Sequence, residues 1–220
     1  MANVTDVREP ILLERTIEIS STPAPADPAP LGLAAFALTT FLLSAKNAHW
    51  THGTDAWLGY ALAYGGLTQL LAGMWEFRNR NVFGATAFSS YGAFWIGLGL
   101  YVELVVPGDK ATAAQIANDE AWIILAFLLF NTYMLLWSAF VNKAVFAVFL
   151  TLEVTEVFLV IANFQVSTDW AKAGGIAGVV TAAAAWYASS AGIINGITGR
   201  VLSPVGKPLF SVAAPPAATK

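Results

Sequence analysis

Apolar and polar positions alternate along this chain on the scale of whole helices. Six apolar runs, at residues 32–50, 57–77, 82–106, 121–141, 145–164 and 173–196, are separated by short polar breaks. Each run is close to the roughly 20 residues that a helix needs to cross a lipid core. The breaks are His49 to Asp55, Arg78 to Asn81, Pro107 to Glu120, Asn142-Lys143 and Gln165 to Lys172, and none has room for a second soluble domain. The pattern predicts an all-α membrane protein with six transmembrane helices per subunit. The first helix has a readable start. In Asp27-Pro28-Ala29-Pro30-Leu31-Gly32-Leu33, Asp27 is placed to accept hydrogen bonds from a first helical turn, and Pro28 stands at the first helical position, where its missing N–H costs nothing. The organisation expected is a flexible N-terminal tail over 1–26, a membrane domain over 27–206 and a flexible C-terminal tail over 207–220.

Composition supports this reading. Of 220 residues, 57% are hydrophobic and 11% charged, whereas an ordinary soluble domain carries about 25% charged residues. The first 30 residues hold Arg8 and Arg15 among Asp6, Glu9, Glu14 and Glu18, with no apolar core of signal-peptide length, so the tail is expected to stay attached. A net charge of -3 without a basic patch gives no reason to expect nucleic-acid binding. Without cysteine, disulfides and thiolate metal sites are excluded.

Lys and Arg distribute unevenly between the two sides. Arg8, Arg15, Arg78, Arg80, Lys143, Arg200, Lys207 and Lys220 fall on one side, and Lys46, Lys110 and Lys172 on the other. Because cytoplasmic segments carry the excess of positive charge, both termini are expected in the cytoplasm of a multi-pass protein of the inner or plasma membrane.

Polar groups inside lipid are costly and therefore informative. Glu153 and Glu156 lie in the middle of the fifth run, three residues apart. Two ionised carboxylates there would repel each other, so at least one is expected to hold a proton, which makes the pair candidates for proton handling. Interhelical hydrogen bonding, or pairing with Lys46, is the alternative. Thr39, Thr40, Asn47, Gln69, Ser89, Ser90 and Asn131 offer hydroxyl and amide hydrogen bonds along a substrate pathway; for the Thr and Ser residues a bond back to the preceding helical turn competes with that role. Glu76 and Arg78 stand at a helix end and are expected to face headgroups or cap the loop. The sixth run carries small residues four apart, Gly174, Gly178 and Ala182, then Ala188, Gly192 and Gly196, a helix-packing signal that serves intrachain and intersubunit contacts equally.

No constellation points to catalysis. His49 and His52 have only Asp55 as a third ligand, too little for a metal site, and phosphate-binding and nucleophile-elbow motifs are missing. The chain is expected to be no enzyme and to need no cofactor. A polar interior without mid-span cations suits a small solute passing an apolar narrowing.

One set of motifs goes further. The stretch Asp27 to Leu33 is similar to the Asn-Pro-Ala-Pro-Leu-Gly-Leu signature of the acetate uptake transporter family, which includes the succinate-acetate permeases. Thr39-Thr40, Tyr64-Gly65-Gly66 with Gln69, Ala72-Gly73, Glu76-Phe77, Phe83-Gly84, Thr86 to Trp95, Ile161-Ala162-Asn163, Gly199-Arg200 and Pro204-Val205-Gly206 continue the resemblance in order. It implies a homo-hexamer with one pathway per protomer for acetate and, in some members, succinate. It also implies a pore constriction formed by Phe36, Tyr91 and Leu152, with Tyr91 donating a hydrogen bond to the carboxylate. Asp27, Pro28, Pro30 and Gly32 carry the signature and cap of helix one. The sequence departs from the family at Asp27, where an Asn is usual, and at Glu153, where relatives commonly have an uncharged residue. The resulting expectation is proton-linked transport of acetate and related short-chain carboxylates. The alternatives are a pore for neutral solutes such as amides, or a non-transporting membrane sensor or assembly protein.

Overall fold

The computed structural model describes residues 25–211, and among these it contains helices and no strand. Helix α1 spans Ala29–Asn47, α4 Val82–Leu100, α5 Ala113–Ser138, α6 Lys143–Gln165 and α7 Thr168–Thr198. The second apolar run is one rod of changing pitch: α2 (Trp57–Tyr60), a π-helical stretch (Ala61–Thr68) and α3 (Gln69–Arg78). A π turn (Tyr101–Val105) and a short 3-10 turn (Val106–Gly108) extend α4. Five helical segments, Ala29–Asn47, Val82–Gly108, Ala113–Ser138, Lys143–Gln165 and Thr168–Thr198, are long and apolar enough to cross a membrane.

Most helix starts are set by side-chain caps. Asn81 accepts from the Gly84 N–H to open α4, Asn142 from Val145 to open α6, and Ser167 from Trp170 to open α7. A reciprocal capping box between Thr112 and Gln115 starts α5 at Ala113. That start precedes the apolar run at 121, and α7 likewise begins before 173, because a capped polar segment propagates a helix as well as an apolar one does. At α1 the cap is displaced by one position from expectation. Pro28 itself is the N-cap residue, α1 begins at Ala29, and the Asp27 carboxylate accepts from the Ala29 N–H at 3.0 Å.

The rods close a ring. Helix α1 packs along α7, α7 along α6, and α6 along α5; on the other side α1 meets the π-helical stretch and α3, which pack on α4. Between α4 and α5 the backbones barely approach, and Tyr91, Phe94, Phe127 and Phe130 fill the gap. Small residues make the tight contacts. A Cβ on Gly175 would collide with the backbone at Ser44, Asn47 and Ala48 of α1, and one on Gly178 with Ser44. Gly174 faces Leu159 of α6, Gly192 faces Pro30, and Ala182 has no exposed surface. Most of the ladder in α7 therefore serves intrachain packing, whereas Gly196 meets nothing.

Beyond α7, which ends at Gly199 in a left-handed conformation, the chain folds back on the bundle. Tyr187 Oη donates to the Pro204 carbonyl at 2.6 Å, Ala144 N–H to Val205, and the Leu209 N–H to Ala139 at 2.8 Å. Arg8, Arg15 and Lys220, counted above for orientation, and most of both expected tails lie outside the described residues.

The α1–α7 contact yields a stability prediction. Gly175→Ala should lower the stability of the detergent-purified protein by about 1–3 kcal/mol, since the neighbour it meets is backbone. Gly196→Ala should leave it unchanged. Equal melting temperatures for both variants would rule out this contact as a constraint.

Candidate transport pathway

Halfway along their helices, Phe36 of α1, Tyr91 of α4 and Leu152 of α6 converge. They are 5%, 4% and 6% exposed and belong to one apolar cluster. Phe36 meets Tyr91 edge to face with ring centroids 5.7 Å apart, and Phe94, Phe127, Phe130 and Phe149 complete an aromatic collar around Tyr91. From this waist a vestibule of about 420 Å³ extends toward the end of the bundle that carries Lys46, His49, Ser167 and Thr168.

The vestibule walls are partly polar. Thr40, Ser44 and Asn47 contribute from α1, and Thr155, Glu156 and Asn163 from α6, facing Trp57, Trp95 and Leu98. The Thr40 hydroxyl and Glu156 Oε2 are buried without a protein partner. Thr155 Oγ1 is held by Thr181 of α7 at 3.1 Å.

The two acids of α6 face different surroundings. Glu156, one turn from Leu152 toward the mouth, lines the vestibule. Glu153 turns toward α5, where its Oε2 accepts from Asn131 Nδ2 at 2.6 Å and its Oε1 lies 2.8 Å from the Thr132 hydroxyl. Asn131 has no exposed surface and stands behind Tyr91, whose hydroxyl donates to Asn131 Oδ1 at 3.0 Å. The Tyr91 proton is thus directed at the protein, not free for a carboxylate.

The other polar residues of the expected pathway divide. Thr40 and Asn47 line the vestibule, and Asn131 backs its waist. Thr39 is buried at the contact of α1 with the second rod, where its Oγ1 lies 3.4 Å from the Tyr60 carbonyl and it packs on Gly65, and Gln69 is buried in α3 outside the vestibule wall. Ser89 packs on Gly73, and Ser90 is half-buried away from the vestibule. The signature residues of α1 also act in packing. Gly32 lies under the Phe88 ring, and the Pro30 carbonyl accepts from Ser189 Oγ at 2.6 Å.

Two features escaped the sequence. Lys46 lines the vestibule mouth, where it forms an ion pair with Asp55, not with Glu156, and sits 5.6 Å from the Trp57 ring centroid. The interior is therefore not free of cations at its mouth. From the sequence, pairing of Lys46 with Glu153 or Glu156 is the open alternative; only the loop carrying Asp55 reveals its actual partner. The second is the burial of Glu76, expected to face headgroups or cap the loop: it is fully buried, with Asn79 Nδ2 of the loop 3.4 Å from its Oε2 and Gly84 of α4 pressed against it. Arg78, two residues on, is exposed as expected. His49 lines the vestibule mouth with a positive φ, and among the described residues no three groups are placed to bind a metal.

A ring of apolar helices around a partly polar vestibule that ends on an apolar waist defines a multi-pass membrane protein with an internal cavity. Comparison with known proteins agrees. The chain belongs to the GPR1/FUN34/yaaH family, whose pattern matches residues 14–205. It is 39% identical over 187 residues to ammonia transport outward protein 2 of Saccharomyces cerevisiae, covering 81% of this chain and 66% of that protein. It is 39% identical over 197 residues to acetate permease A of Emericella nidulans, covering 82% and 65%. The chain thus spans just under two thirds of the length of these two fungal relatives. A solved structure, the bacterial acetate channel SatP, superposes with a TM-score of 0.77 at 31% identity over 83% of this chain and 99% of that one. These relatives are named as transporters, permeases or channels, not as enzymes, and the chain is a multi-pass protein of the plasma membrane.

Because the chain has no cysteine, single substitutions report accessibility cleanly. Thr40→Cys and Asn47→Cys should react with a small charged thiol reagent at least about tenfold faster than Gln69→Cys and Ser89→Cys, since only an accessible thiolate attacks. Similar labelling rates at all four positions would remove the vestibule as a water-filled space.

Proposed function

We propose that the chain crosses the bilayer six times with both termini in the cytoplasm, and passes acetate and related short-chain carboxylates through one pathway in each protomer of a homo-hexamer, in a proton-linked manner. The observation that carries this reading is the vestibule that leads from a polar mouth onto Phe36, Tyr91 and Leu152. Its volume of about 420 Å³ admits small organic acids with some water, and its waist is apolar enough to demand that a solute shed that water.

In this reading an anion approaches the mouth, where Lys46 offers the one nearby cation among the lining residues, held by Asp55. Thr40, Ser44 and Asn47 replace part of its hydration as it moves inward. Moving a bare carboxylate through the aromatic collar is strongly unfavourable, and the neutral acid crosses at much lower cost. At neutral pH a free acid with a pKa of about 4–5 is only about one part in several hundred protonated. Glu156, one turn outside the waist, is placed to ease this: a proton on its carboxyl passes to the carboxylate, leaving an ionised Glu156 and a neutral acid. Of the two acids proposed for proton handling, Glu156 is the one that a solute in the vestibule reaches. Phe36 and Leu152 then exclude larger or hydrated molecules by size.

A second reading, passage of a neutral small solute, draws on the orientation of Tyr91, which donates inward to Asn131, and on the ammonia-transport name of one relative. Proteoliposome uptake separates the two. Labelled acetate should enter faster than urea, and vesicles permeable to urea but closed to acetate would favour the second reading. Leu152→Ala should raise uptake of a four-carbon carboxylate relative to acetate several-fold, because it opens the waist without changing charge; an unchanged ratio would take Leu152 out of the constriction.

A further inference from the structure

The hydrogen bonds around Asn131 have a direction, and that direction determines what the waist offers to a solute. Asn131 Nδ2 lies 3.0 Å from the Phe149 carbonyl oxygen and 2.6 Å from Glu153 Oε2. The first of these is a pure acceptor, so the NH₂ group of the amide, with its two hydrogens, must face α6. The remaining amide atom, Oδ1, then faces Tyr91 and carries no hydrogen. The Tyr91 hydroxyl must donate to it, as the 3.0 Å contact shows. A phenol has one proton. Once that proton points at Asn131, the hydroxyl presents only oxygen lone pairs in other directions.

We propose that Glu153 is a positioning residue that acts through Asn131. By holding the amide hydrogens on the α6 side, it keeps Tyr91 an acceptor, so the waist receives the undissociated acid, which brings its own O–H, and disfavours the carboxylate, which needs a donor. This rests on the reading of Tyr91 as part of the constriction. Glu153 does not itself touch the pathway. It is half-buried between α5 and α6 and absent from the vestibule wall. The Phe149 carbonyl alone would hold one amide hydrogen. The carboxyl of Glu153, with Thr132 on its other oxygen, engages the second and leaves the amide no freedom to turn over. The ionisable groups that share this region are Glu156 on the same helix and the phenols of Tyr91 and Tyr133. Among the described residues no Lys, Arg or His forms an ion pair with Glu153 or Glu156.

An uncharged residue at position 153 has a defined consequence. With Glu153→Gln, the new amide donates to Asn131 as readily as it accepts, so only the Phe149 carbonyl still holds the NH₂ group on the α6 side; turning the amide over then costs one hydrogen bond instead of two, and the turned amide releases the phenol proton to the pathway. Asn131→Leu releases the same proton by removing the acceptor. Both changes provide a donor for an anion.

The experiment is labelled acetate uptake by proteoliposomes of the full chain at fixed total acetate, at about pH 5.5 and about pH 7.5, where free acid differs by about 100-fold. For the unmodified protein, uptake should fall on the order of tenfold or more at the higher pH, following the supply of neutral acid. In Glu153→Gln and in Asn131→Leu the ratio of uptake at low to high pH should shrink by about threefold or more, as a hydroxyl donor becomes available to the anion. A purely structural role would lower uptake equally at both values and leave the ratio unchanged, which overturns the proposal, as does a flat profile in the unmodified protein. Because the unmodified protein is itself one arm, the proposal stays exposed to refutation even where a variant does not fold. Failure of the unmodified protein to carry acetate at either pH would instead overturn the acetate reading on which this one rests.

Discussion

The amide of Asn131, which has no exposed surface, ties three helices together. Helices α4 and α5 have almost no backbone contact of their own; the bond from Tyr91 to Asn131 and the bonds from Asn131 to Phe149 and Glu153 join α4, α5 and α6 around the waist. In a buried, low-dielectric setting each unsatisfied polar group carries a large penalty, so a network in which every member is paired holds its geometry firmly. Without that tie, the aromatic side chains that fill the α4–α5 gap would have only dispersion forces to fix their separation, and the width of the waist would follow.

The other half of the ring is held differently. Helices α1 and α7 meet through glycines, Gly175 and Gly178, that let backbone lie on backbone near Ser44 and Ala48, and through the Ser189–Pro30 hydrogen bond at the opposite end. In lipid, where no hydrophobic drive favours helix association, such close approach with its dispersion contacts takes over that role. The result is a bundle with one tight side made of small residues and one spacious side made of aromatic ones. The vestibule lies on the spacious side because large side chains hold the backbones apart there. Its polarity is graded: a paired lysine at the mouth, hydroxyls and an amide on the α1 wall, a carboxyl near the waist, and then aromatic carbon. On the proposed function, a solute meets progressively fewer partners as it moves inward, and a passage built without a deep cation selects for size and for neutrality.

Much of this was legible in the residues themselves. Apolar run lengths located the helices, because span length is dictated by lipid thickness, and the polar breaks between them hold Asn81, Asn142 and Ser167, which cap the helices that follow. What eluded that reading was partnership. Glu153 and Glu156 are three positions apart, which suggests a shared face, yet one bonds to α5 and the other lines the vestibule. Glu76 reads from its place at a helix end as a headgroup or loop-capping residue, and it is buried because α4 begins against it. Thr39 and Thr40 are adjacent and equally polar, and only the second lines the vestibule.

The sequence by itself determined that this chain lives in lipid, roughly where its helices run, and which family it resembles, since these follow from local length, periodicity and linear motifs. The tertiary structure alone decided which polar groups face the vestibule and which way the Tyr91 proton points. Those outcomes depend on the rotation of each helix and on acceptors such as the Phe149 carbonyl, supplied by residues distant in the chain, and no linear pattern encodes the angle at which two helices meet.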